Sequence, residues 1–116
     1  MEGSVAIRSW TVVCELDDIV PNTGVCALVG DEQVAVFRIG NRELYAIDNF
    51  DPNANASVLS RGLVGSLAGR IVVASPIYKQ HFDLRTGECL EAPEHSVRAW
   101  LVRLEGDRVL LGRPLP

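Results

Sequence analysis

Apolar residues along the chain fall in short runs broken by Asp, Asn, Gly and Pro. No segment holds a 3.6-residue period with caps at both ends, so the pattern predicts an all-β domain. SWTVVCEL (9–16) is rich in β-branched and aromatic residues and stops at Asp17-Asp18, a first strand. DDIVPNTG comes next as a turn-rich connection. GVCALVG and QVAVFRIG, parted by Asp31-Glu32, predict a hairpin, and ELYAIDN adds a third strand to the same meander. Arg70 to Ala74 reads as a buried strand and HFDL as another, with Arg85-Thr86-Gly87 turning tightly into ECLE. VRAWLVRLE and RVLLG flank Gly106-Asp107, a two-residue hairpin signal. Arg98 and Arg103 fall on opposite parities there, which a bulge would reconcile. The best helical candidate is one turn at Ala56–Leu59. It lies in a long Pro-, Asn- and Gly-containing connection, 50–68, that resists strand assignment and predicts either a functional loop or a misread element. Loops 50–68 and 75–80 thus bracket a single predicted strand.

Composition narrows the function classes. A chain of 116 residues with 47% hydrophobic and 22% charged residues is expected to fold as one domain, 1–116, around its own core. No apolar run reaches the roughly 18 residues of a membrane span, and MEGSVAIRSW lacks the pattern of a secretory leader. The expectation is therefore a cytoplasmic protein with no membrane partner. Cys14, Cys26 and Cys89 show no C-x-x-C spacing and read as buried small hydrophobes. A net charge of −4 argues against nucleic acid. The charge is unevenly placed, however. Residues 1–51 carry nine acids and three bases (−6), 52–87 carry Arg61, Arg70, Lys79 and Arg85 against Asp83 (+3), and 88–116 return to −1.

The most specific pattern is SPIYKQHFDLRTGECLEAP, Ser75 to Pro93. Its tail, FDLRTGECL, resembles the segment just after the second cluster-binding loop of a Rieske protein. In that family one loop supplies Cys-x-His, the other Cys-x-x-His, and the pair grips a [2Fe–2S] cluster. Here the second loop reads Ser75-Pro76-Ile77-Tyr78, and Asp51-Pro52-Asn53 stands after YAIDN where Cys-Pro-His is expected. The four ligand positions thus hold Asp51, Asn53, Ser75 and Tyr78, none of them a thiolate or imidazole. The cysteines lie outside both loops, and His81 and His95 lie outside the ligand positions. The resemblance therefore implies a Rieske-like, ferredoxin-type β-sandwich or barrel with two projecting loops and no cluster or other metal in this chain. Asp51 and Tyr78 are read as hydrogen-bonding groups that join the loops in its place.

Carried along nearly the whole chain, with DNFDP, VLSRGLVG and VASPIYKQHFDL as the sharpest matches, the sequence resembles the small subunits of assimilatory NAD(P)H-dependent nitrite reductase. The resemblance implies a non-catalytic or accessory chain, with the catalytic centres on another subunit. Its partner would be a large subunit that carries FAD, sirohaem and an iron–sulfur cluster and reduces nitrite to ammonium. Arg61, Lys79 and Gln80, in or beside the two loops, become candidate docking residues. A stand-alone Rieske-type electron-transfer ferredoxin and a non-redox interaction domain are the alternative readings. Weaker chemistry is also present: Gly62, Gly65 and Gly69 lack the spacing of a nucleotide loop, and Ser75 with His81 lacks the elbow and third partner of a nucleophilic site. Trp10 and Trp100, each on a predicted strand, read as core.

Overall fold

The computed structural model describes residues 10–116; Ser9, where the first strand is predicted to begin, and residues 1–8, on which the expectation of no leader rests, lie outside them. Eleven strands are described: β1 (Thr11–Glu15), β2 (Thr23–Val29), β3 (Glu32–Ile39), β4 (Glu43–Asp48), β5 (Phe50–Asp51), β6 (Ala56–Ser57), β7 (Leu63–Leu67), β8 (Arg70–Ala74), β9 (His81–Asp83), β10 (Trp100–Glu105) and β11 (Arg108–Pro114). They form antiparallel sheets ordered β1-β11-β10, β2-β3-β4, β5-β6 and β7-β8-β9.

The β2-β3-β4 sheet is the wall between two cores, which explains why β3 reads as an unbroken apolar run. Val34 and Val36 point to one side and pack with Leu16, Ile19, Ala46, Trp100, Val109 and Leu111. Ala35 and Phe37 point to the other and pack with Ile47, Leu59, Val73, Phe82 and Leu84. Arg38 continues β3 into the interior, where its guanidinium donates to the carbonyls of Ile19 (2.9 Å) and Asn41 (2.8 Å). A buried cation persists there because its donors are satisfied.

The C-terminal hairpin forms as predicted, with Gly106 at φ 62° and a register shift between Trp100 and Val102. Three expectations need correction. Ala56–Leu59 is not a helical turn: Ala56 and Ser57 are β6, and a short 3-10 turn begins only at Leu59. The long connection 50–68 contains three strands, because Gly65 and Ser66 weakened a signal that pairing with β8 overrides. The two loops therefore bracket the β7–β8 hairpin rather than one strand. Only Cys89 is the buried small hydrophobe foreseen; Cys14 is half-buried and Cys26 is exposed, and all three are free thiols.

Candidate functional site

Two tight loops meet at one end of the β7–β8 hairpin. The first is a miniature hairpin in which β5 and β6 pair Asp51 with Ala56, and Asn55 turns the chain at φ 53°. One Asp51 oxygen accepts the backbone N–H of Asn53 at 2.9 Å, a local turn that Asp favours. The second loop closes on itself. Ser75 N–H donates to the Gln80 carbonyl (2.9 Å), Lys79 N–H donates to the Ser75 carbonyl (3.0 Å), and Lys79 takes φ 63°. That closure pushes Pro76, Ile77, Tyr78 and Lys79 outward, all exposed.

The loops are joined by the two residues that the resemblance sets at thiolate positions. Ser75 Oγ donates to Asp51 Oδ2 at 2.5 Å, and the two residues are 1% and 0% exposed. Asn49, also buried, ties the first loop to the fold: its side-chain oxygen accepts Ser60 N–H (2.7 Å), and its amide donates to Gln33 Oε1 (3.1 Å). Gly62 lies so close to β8 that a Cβ would stand 2.3 Å from the Ala74 carbonyl oxygen. Arg61 therefore sits beside the start of the second loop.

Asn53 and Tyr78, which the resemblance sets at imidazole positions, behave differently. Asn53 is half-buried; its Oδ1 meets His95 Nδ1 at 2.5 Å and its Nδ2 lies 3.8 Å from Cys89 Sγ. Segment 89–95 thus closes one side of the tip. Sequence reasoning missed this, because nothing local links residues 42 positions apart. Tyr78 is 64% exposed and makes no side-chain hydrogen bond among the described residues, which corrects its assignment as a link between loops. Asp51 does join them, with Ser75 as its partner.

Ser75 and His81 are not a nucleophile–base pair. Ser75 is bonded to Asp51, and His81 Nδ1 meets Glu91 Oε2 at 2.5 Å. Burial raises the Glu91 carboxyl, but the His81 N–H and imidazole outweigh it and hold it below its ordinary value. Burial pushes the thiols of Cys14 and Cys26 up, so neither is an activated thiolate.

These residues do not fit a [2Fe–2S] cluster. The side chains of Asp51 and Ser75 touch each other, leaving no gap for iron between them, and Cys89 is the one thiol beside the tip. Among the described residues no group of three or more His, Cys, Asp or Glu is placed to hold a metal ion. Arg61 and Lys79 are exposed, and no ion pair involves either among the described residues. Gln80 is half-buried, with its side-chain oxygen buried and unpartnered. What the tip offers is a protein surface: exposed Ile77 and Tyr78, with the cations Arg61 and Lys79 in the same two loops.

Residues 9–112 match the model of the Rieske-like [2Fe-2S] domain. The chain is 48% identical to the NADH nitrite reductase small subunit of Escherichia coli K12, over 90% of this chain and 98% of that one. It is 42% identical to part of the NAD(P)H nitrite reductase large subunit of Klebsiella oxytoca, over 96% of this chain but only 12% of that much longer protein. The solution structure of the NAD(P)H nitrite reductase small subunit from Erwinia carotovora superposes with a TM-score of 0.77 at 48% identity, covering 93% of this chain and 92% of that one.

Proposed function

We infer the function from the family: the chain belongs to the Rieske-like [2Fe-2S] domain family and, within it, to the small subunits of nitrite reductase. It serves as the accessory subunit of an NAD(P)H-dependent nitrite reductase and docks on the large subunit, where nitrite is reduced to ammonium. Full-length likeness to a small subunit carries this reading. The Klebsiella match supports the partner, since there a domain of this kind lies within the large chain itself. FAD, sirohaem and an iron–sulfur cluster belong to the large subunit in this reading, and the complex works in the cytoplasm.

The loop tip is the docking element. It keeps the place from which electrons leave a Rieske ferredoxin, but presents side chains instead of a cluster. Arg61 and Lys79 supply the charge, and Gln80 supports the second loop from behind. Cations at the rim of an otherwise acidic molecule favour a carboxylate-bearing surface and speed encounter more than they add affinity. The test is co-purification. Tagged chain expressed with the large subunit should retain it, and removing the chain should change the activity or stability of that subunit. A large subunit that neither binds the chain nor responds to it would refute the reading.

A further inference from the structure

We propose that the outer edge of β7 takes up an extended segment of the large subunit, added as a fourth strand to the β7-β8-β9 sheet beside the loop tip. The proposal rests on the docking reading above and gives it a backbone component.

Sheet edges carry unpaired N–H and C=O groups, and proteins guard them with charge, Pro, bulges or covering segments. Most edges here are guarded. β4 is closed by the segment entering β10, with Asp48 N–H on the Arg98 carbonyl (2.9 Å) and a bridge from Ile47 to Ala99. β9 is closed by residues 88–90, through Asp83 N–H to the Glu88 carbonyl (2.8 Å) and Leu90 N–H to the His81 carbonyl (2.9 Å). β2 packs against the 3-10 turn at Leu59–Arg61, and β1 is broken by a register shift between Val12 and Cys14. β7, LVGSL, has no charge, no Pro and no bulge, and keeps unbroken register with β8.

The register shows which groups of β7 face away from β8. Leu84 N–H donates to the Ile71 carbonyl (3.0 Å), so Ile71 and, two residues on, Val73 turn their polar groups toward β9. By alternation Arg70, Val72 and Ala74 turn theirs toward β7, where they pair with Leu67, Gly65 and Leu63. Val64 and Ser66 are left with N–H and C=O pointing away from the sheet. These are two evenly spaced donor–acceptor sets, enough to seat a short extended segment.

Side chains define the occupant. Leu63 is 79% exposed and Leu67 39% exposed, and between them Gly65 has open space where a Cβ would stand. An apolar side chain from the incoming strand fits that gap. Arg61, two residues before β7, and Lys79, in the neighbouring loop, call for carboxylates at the tip end of the segment. At the far end Arg70 is already paired with Asp83 (2.7 Å) and Glu88 (2.5 Å). The partner segment is therefore extended, apolar at its centre and acidic at one end.

Amide hydrogen exchange on the intact chain, free and bound to the large subunit, tests this. Val64 and Ser66 amides should exchange rapidly in the free chain and slow by at least about tenfold in the complex, as newly formed hydrogen bonds require. Ser66→Pro removes only an outward N–H, which an edge strand tolerates, and should weaken binding about tenfold while Ser66→Ala does not. Should Ser66→Pro fail to fold, the exchange measurement on the unaltered chain decides. If both amides stay fast in a complex that Arg61→Glu with Lys79→Glu still weakens, strand addition is wrong and side-chain docking stands. Amides already protected in a dimeric free chain would give the edge to a second copy and overturn the proposal. Absence of any complex would refute both readings.

Discussion

Replacing Ser75 by Ala strips the buried Asp51 carboxylate of its 2.5 Å hydrogen bond and leaves, among the described residues, only the Asn53 N–H on that side chain. An unsatisfied buried acceptor costs about 1–3 kcal/mol. Ser75→Ala should therefore lower stability by that amount in urea unfolding, whereas Ile77→Ala, truncating an exposed loop side chain, should change it little. Equal midpoints for Ser75→Ala and the unaltered chain would mean the loops are held by other contacts. That Asp51 and Ser75 matter was legible from their place in the two loop motifs. That they bond to each other was not, because a motif fixes positions and leaves the partners of a side chain open. The same limit hid Asn53–His95 and gave Tyr78 a bond between the loops that it does not make among the described residues.

Among the elements, the entry to β7 makes the sharpest steric demand. Gly62 has an ordinary φ of −75°, so the backbone there would accept alanine; the obstacle is the Ala74 carbonyl 2.3 Å and a Val73 methyl 2.6 Å from the new Cβ. Overpacking of this kind costs about 1–3 kcal/mol. Gly62→Ala should thus lower the melting temperature, while Gly65→Ala, three residues on with nothing within 4 Å, should leave it nearly unchanged. Equal melting temperatures for the two variants would show that the loop can lift from β8 without loss. β3 was readable because both its faces are buried, and the last hairpin because Gly106-Asp107 specifies its turn. β7 was not, since most of its residues are exposed and Gly65 and Ser66 carry little strand preference; only hairpin pairing with the adjacent β8 makes it a strand.

Across the whole molecule the charges of 1–51 and 52–87 oppose each other, and the positive part includes the tip. Arg61→Glu combined with Lys79→Glu should leave the fold intact and weaken large-subunit binding, with a greater loss at low salt than at high, because screening shortens the reach of exposed charges. Calorimetry at two salt concentrations reads this directly, and undiminished binding by the folded double variant would move the interface off the tip. More basic still is the proposal that the Ser75–Asp51 bond joins the two loops where a Rieske protein would hold iron. Iron and acid-labile sulfide, measured per chain on protein purified without oxygen, decide the matter, with electron paramagnetic resonance on the reduced sample. Iron should lie far below one atom per chain, with no Rieske-type signal; about two irons and two sulfides per chain with such a signal would show that the loops hold a cluster after all.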